Sequence, residues 1–341
     1  MWQNLDISEQ RKVLTLTGEE TGLLENSIEK DWWVCTILKS LFETSCRDSL
    51  MFKGGTSLSK GWGLIDRFSE DVDLSIHHSF FKIDKTNKNQ KDKLRKAGRK
   101  YVHEVLSAEL VERLKAKGVR NFNIENVTTI TRNGIVEPID SDKDPTVILV
   151  YYDSVLKEGN PYVRPVVKIE VSCLSMDEPF EFRKIKTMIS EQFEEVDSDT
   201  DSVIRTVVPT RTFLEKAFLL NEEFPKDHPR FKRMSRHLYD LERMMDTPYG
   251  MDALRDKDLY NRIIEHRKTY YAVKYVDYSL HAPSSIKICP PDAEMDRWKA
   301  DYNAMRQSFI YGDSLPFDRL MERMRELEDR FHNLTFREGI N

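Results

Sequence analysis

Between Phe52 and Leu74 the chain sets glycines, hydroxyls and carboxylates at spacings suited to phosphate chemistry. Phe52-Lys53-Gly54-Gly55-Thr56-Ser57-Leu58-Ser59-Lys60 is followed, from Arg67, by Arg-Phe-Ser-Glu-Asp-Val-Asp-Leu. This is not a Walker A loop, because Ser59 stands where its second glycine belongs. A glycine pair at the start of a short helix lets backbone N–H groups, and the hydroxyl of Thr56 or Ser57, come close to phosphate oxygens. Asp71 and Asp73 stand at i and i+2, so on a strand both carboxylates point to one face. Paired carboxylates repel unless a cation lies between them. Mg²⁺, or Mn²⁺ with the same preference for oxygen, held by Asp71, Asp73 and substrate phosphates meets that condition. The plain alternative is a turn with two solvated acids.

A third carboxylate on a neighbouring strand would complete such a site. Lys168-Ile169-Glu170-Val171-Ser172 offers Glu170 in an apolar strand, where an unpaired carboxylate is costly to bury. Glu170 is therefore a candidate metal ligand. Its alternative is an edge-strand residue facing water beside Lys168. The cysteines Cys35, Cys46, Cys173 and Cys289 are far apart, without the spacing of a zinc site or a disulfide framework.

These residues need a sheet to hold them. The apolar positions of residues 7–46 predict helix, broken early by Gly18 and Gly22, Leu50–Phe52 leads into the glycine pair, and Val72–Ile76 reads as a strand. Residues 89–117 return to a helical pattern. Residues 121–208 shift to β character, with strands predicted over Thr146–Tyr152, Arg164–Ser172, Phe180–Thr187 and Ser202–Val208. An acidic loop, Glu191–Asp201, interrupts them. After Pro209 helices are predicted over Thr212–Phe224, Arg230–Met245, Lys257–Tyr271, Ala293–Phe309 and Asp318–Phe331, with prolines between them. The expected architecture is α+β. Residues 1–208 would form N-terminal helices and a mixed-sheet catalytic core, and 209–341 a helical domain completing the active site.

The chain has 341 residues, 39% hydrophobic and 33% charged, with a formal charge of −5. It can bury a core, and its acidity excludes a uniformly basic nucleic-acid coat. Basic residues are nonetheless concentrated in Lys82–Lys100 and in Arg230–Arg236, which leaves room for a local phosphate track. Nothing resembles a membrane span or a basic, apolar leader, so a cytoplasmic protein with no membrane partner is expected.

The Gly-Gly-Thr-Ser segment with Arg-Phe-Ser-Glu-Asp-Val-Asp-Leu resembles the nucleotidyltransferase-like toxins of the AbiEii/AbiGii type, which include the MenT toxins and belong to the DNA polymerase β superfamily. Arg211-Thr212-Phe213-Leu214-Glu215-Lys216-Ala217 and Arg236-His237-Leu238-Tyr239-Asp240-Leu241 extend the resemblance over roughly residues 50 to 245. Many relatives carry an acid just before the Tyr-Asp segment, where this chain has His237. The resemblance implies a nucleotidyltransferase-like mixed sheet with flanking helices. It implies that Gly54, Gly55 and Thr56 or Ser57 hold the nucleotide phosphates, and that Asp71 and Asp73 bind the metal. It further implies that Lys216 contacts the triphosphate and that Asp240 is a further active-site acid. On the residues alone, Lys216 reads equally as a solvated helix position, and Asp240 as a helix-surface partner of Arg236 or Arg243.

Nucleotidyl transfer sends an acceptor hydroxyl to the α-phosphorus of an NTP and releases pyrophosphate. Lys216, helped by Lys53 or Arg67, would offset the leaving charge; Arg67 serves equally as a structural partner of Glu70 or Asp71. The resemblance implies a toxin of a type IV-like toxin–antitoxin or phage abortive-infection system. The expected acceptor is RNA such as the tRNA 3′ end, and the expected partner a cognate antitoxin, a DNA-binding protein encoded beside it. A small-molecule or protein acceptor, and a non-catalytic nucleotide-binding protein of the same fold, are the competing readings.

Overall fold

The computed structural model describes residues 1–83, 88–132, 134–156, 163–174, 176, 179–271 and 276–334. The chain divides into two compact units, one of Met1–Trp62 with Phe68–Val207, the other of Gly63–Arg67 with Val208–Asn341.

The first unit is built on β1 (Leu50–Lys53), β2 (Asp71–Ile76), β3 (Phe122–Asn126), β4 (Thr129–Arg132), β5 (Ile135–Pro138), β6 (Thr146–Tyr152), β7 (Val166–Ser172), β8 (Phe180–Ile185) and β9 (Ser202–Val207). Seven of them form one mixed sheet in the order β3-β6-β7-β2-β1-β9-β8, while β4 and β5 pair as a separate ribbon. Strands β2 and β7 are parallel, as are β1 and β9, and the remaining neighbours are antiparallel. The α+β architecture read from the sequence is the one the chain adopts.

Alternation along the strands divides the sheet into a dry face and an open one. Val72, Leu74, Ile76, Ile148, Val150, Val167, Ile169 and Val171 are all fully buried on the dry face. Each contributes about 1.5–3 kcal/mol by leaving water. The helix Glu25–Leu41 packs against β2 and β7 and is buried on almost every side. Its consecutive charges each have a partner within the unit. Glu29 accepts from the Val155 N–H at 2.7 Å, Lys30 meets Glu70 at 2.5 Å, and Asp31 meets Lys60 at 3.0 Å. An all-buried helix can carry charges only when they are paired in this way.

The helical pattern of residues 7–46 breaks at its glycines into two helices, Ile7–Thr21 and Glu25–Leu41, because Gly22 adopts φ +72° and closes the first with its N–H on the Gly18 carbonyl. Two other sequence expectations change. The acidic stretch Glu191–Asp201 is a chain of short helical turns rather than a loop. Within it, buried Asp197 accepts from the Trp2 backbone N–H, the Trp32 indole, and the Thr187 and Thr200 hydroxyls. The polar strands β3, β4 and β5 were absent from the strand prediction.

The second unit holds the helices Pro209–Glu223, Ser235–Met244, Pro248–Arg255, Lys257–His266, Met295–Ser308 and Phe317–His332. Pro248 opens a helix that the sequence pattern did not predict. Proline is well placed at a first helical position, and the Thr247 hydroxyl caps this helix at the Gly250 N–H. Gly63–Arg67 joins this unit: Arg67 bridges to Ile310, and the Tyr311 N–H donates to the Asp66 carbonyl. No described helix is long and apolar enough to cross a membrane.

Candidate active site

The open face of the first unit's sheet carries the carboxylates. Asp73 stands opposite Lys53 of β1 and Glu170 of β7, and Asp71 stands opposite Lys168. All five side chains are partly exposed and share one face. Strand β7 lies inside the sheet, between β6 and β2, so Glu170 is not on an edge. Its carboxylate pairs with the Lys168 ammonium. Burial disfavours that ammonium, but Glu170, Asp71 and Asp73 together raise its pKa above the usual lysine value. Among the described residues, no three histidine, cysteine or acidic side chains converge as a ready-made cation cage.

The glycine loop is shaped around Asp73. Gly54 has φ +77°, and a Cβ there would lie 1.9 Å from Asp73 Oδ2, so only glycine allows the backbone to pass this carboxylate. Gly54–Thr56 and Ser57–Gly61 then form one continuous helical turn. The Thr56 hydroxyl donates to the Asp71 carbonyl and lies 2.9 Å from the Ser69 hydroxyl, and the Ser57 hydroxyl donates to the Gly54 carbonyl at 2.9 Å. Both residues are buried. The Thr56 hydroxyl therefore fastens the loop to β2 and the Ser57 hydroxyl ties the loop to itself, and the groups this loop can offer a phosphate are the N–H groups at the start of its helix.

The donor chemistry fits a divalent cation. Asp71 and Asp73 would supply hard oxygen ligands on one face, and the side-chain-free approach of Gly54 leaves Asp73 in place beside the glycine turn.

Lys216 and Asp240 come together in the second unit. Asp240 is 0% exposed; its Oδ1 accepts from Arg67 Nε at 2.7 Å and its Oδ2 from Arg67 Nη2 at 2.8 Å, and Lys216 Nζ lies 2.8 Å from the same Oδ2. Burial alone would raise the Asp240 carboxyl, but Arg67 and Lys216 hold it well below the usual carboxylate range. Lys216 is pulled down by burial and by Arg67, against the attraction of Asp240. The arrangement is a bidentate Arg–carboxylate fork with a second cation attached. Asp240 is thus neither a helix-surface residue nor a partner of Arg243, whose guanidinium pairs with Asp66 at 2.8 Å. His237 is buried alongside, and burial, with Lys216 and Arg236 next, lowers its pKa well below the ordinary histidine value.

The two basic runs differ in character. In the Arg230–Arg236 run, Arg230 is committed to the buried carboxylate of Glu223 at 2.8 Å. Residues 84–87 of the Lys82–Lys100 run lie outside the described residues, but Lys93, Lys96 and Lys100 are exposed on the helix Lys88–Tyr101. Their spacing puts them along one side of it.

A family described as nucleotidyl transferase AbiEii toxin, type IV TA system, matches residues 36–323. The chain belongs to the AbiEii family. This AbiEii protein is also similar to MenT4, a nucleotidyltransferase toxin from Mycobacterium tuberculosis H37Rv, with 17% identity and a TM-score of 0.43 over 94% of this chain and 98% of that one. No curated protein sequence matches it. Family membership makes it a toxin nucleotidyltransferase, with a nucleotide substrate and an antitoxin partner.

Proposed function

We propose that this toxin is a metal-dependent nucleotidyltransferase that moves NMP from an NTP to an RNA hydroxyl, such as that of a tRNA 3′ end. The observation that carries the reading is the close approach of Gly54 to Asp73, with Asp71 on the same open face. A backbone turn with N–H groups to spare, set against two carboxylates, suits a triphosphate bound through a divalent cation.

Asp71 and Asp73 would hold Mg²⁺ or Mn²⁺, which when bound supplies charge stabilisation at the α-phosphate and lowers the pKa of a coordinated hydroxyl. The helix turn after Gly54 orients the triphosphate. Lys168, whose pKa its carboxylate neighbours raise, balances their charge on the open face. Glu170, already paired with Lys168, acts as the anchor of that cation, and it becomes a metal ligand only by exchanging this partner. Lys216 would serve the leaving pyrophosphate only by leaving Asp240, so Asp240 sets how readily its charge is offered. The exposed lysines of the helix Lys88–Tyr101 suit the phosphate backbone of the acceptor. A cognate antitoxin, a DNA-binding protein encoded beside the toxin, would hold it inactive.

The test is incubation of the full chain with each of four α-labelled NTPs, total RNA and Mg²⁺. Label should enter RNA, and the reaction should be lost in Asp71→Asn and Asp73→Asn. Pyrophosphate release with no label in RNA would overturn the RNA acceptor and favour a small-molecule or protein hydroxyl.

A further inference from the structure

We propose that Phe180, Phe182 and Arg205, at the outer end of the open sheet face, form a stacking platform for an unpaired base of the acceptor RNA. The proposal rests on the transferase reading above and adds a substrate-binding subsite to it.

Large aromatic side chains are normally covered, yet Phe180 is 40% exposed and Phe182 61% exposed. Their rings meet edge to face, 5.9 Å apart at 84°. The Arg205 guanidinium lies over both, 5.6 Å from the Phe180 centroid and 5.4 Å from that of Phe182. Arg205 is itself held by a 2.8 Å hydrogen bond from Nη1 to the Arg47 carbonyl. Its Nη2 also lies 3.5 Å from the exposed carboxylate of Asp48. The group is therefore ordered by its own contacts, with apolar ring surface beside a guanidinium. Such a pairing is what sequence-tolerant binding of single-stranded nucleic acid uses.

Register ties this platform to the reaction centre. Phe182 stands opposite Arg205 on β9, Thr206 stands opposite Phe52 on β1, and Lys53, the residue after Phe52, stands opposite Asp73. Alternation then puts Phe180, Phe182, Arg205, Lys53 and Asp73 on the same side of the sheet. Three strand spacings, about 14 Å, separate β2 from β8. A base on the platform would thus lie upstream of the reacting hydroxyl, where it can position the strand without obstructing the phosphates.

A protein strand adding to β8 is the competing occupant. It would use the backbone edge rather than the ring faces, and Glu181, Arg183 and Lys184 put charge along that edge, which disfavours strand addition.

The experiment measures anisotropy of a labelled, unpaired oligoribonucleotide with the full chain at fixed salt, for wild type, Phe182→Leu, Phe180→Leu/Phe182→Leu and Phe182→Trp. Leucine keeps the apolar surface and removes the π face. Phe182→Leu should weaken binding about 5- to 150-fold, the double variant further, and Phe182→Trp should restore it, with melting temperatures unchanged. Wild-type affinity in both leucine variants, or no binding by the wild type, overturns the platform. So does a double variant that binds RNA normally but escapes its antitoxin, which would assign the patch to a protein. Ring-dependent RNA binding without label transfer at saturating RNA would instead sink the transferase reading and leave the platform standing.

Discussion

Replacing Gly54 by alanine tests the reading of the reaction centre most directly, because two penalties can be separated. The backbone at φ +77° would cost about 1–2 kcal/mol for any residue with a Cβ. The new methyl group would also lie 1.9 Å from Asp73 Oδ2, and contacts below 3.0 Å are essentially never found, so the carboxylate must retreat by about 1.1 Å. Misplacement of a reacting group by about 1 Å costs on the order of 100-fold in rate. Gly22 supplies the control: it has φ +72° in the same unit and nothing within 4 Å of an added Cβ. Gly22→Ala should therefore lower the melting temperature by roughly 2–8 °C and leave transfer activity intact. Gly54→Ala should melt no higher than Gly22→Ala and lose about 100-fold or more in label transfer, read as the single-turnover rate constant. Wild-type turnover in Gly54→Ala would refute the placement of Asp73 at the reacting phosphate.

Asp240→Ala leaves Arg67 and Lys216 buried without a counter-ion and should cost about 3–5 kcal/mol of stability by calorimetry; a loss under about 1 kcal/mol would argue against a structural ion triad. His237 should make the protein acid-labile. Its folded pKa lies below the unfolded value near 6.5, so the unfolded chain binds more protons between the two. Stability then falls as pH drops below about 6.5, by up to about 1.4 kcal/mol per pH unit, and His237→Gln should flatten that slope in pH-dependent denaturant titrations. Asp197→Ala strands four donors in the acidic segment and should destabilise by about 3–5 kcal/mol while sparing RNA affinity, which melting and anisotropy measured together would show.

The residues of β2 were legible in the sequence because the strand period is local: Asp71 and Asp73 must share a face wherever the strand lies. The turn at the glycine pair, opening a short helix, was legible for the same reason. The roles of Thr56 and Ser57 were not, since the carbonyl that Thr56 engages belongs to Asp71, on the far side of the loop. Asp240 was expected near the chemistry, yet its burial beneath Arg67 depends on a contact across 173 positions that no periodicity reports. Asp197 was hidden by its neighbours, because six acids among eleven residues read as one acidic loop. Strand β3 was missed because Phe-Asn-Ile-Glu-Asn, on a sheet edge, has little of the apolar content that marks an inner strand.

The division of the sheet into a dry and an open face has a genetic consequence. In a library of this gene selected for survival, escape substitutions should fall into two populations that alternate residue by residue along β2. Changes at Val72, Leu74 and Ile76 would deplete the protein from the cell, whereas changes at Asp71 and Asp73 would leave it abundant, harmless and still able to titrate its antitoxin. Inactive alleles of the second kind would act as dominant releasers of any intact copy, since each one draws neutralising partner away from it.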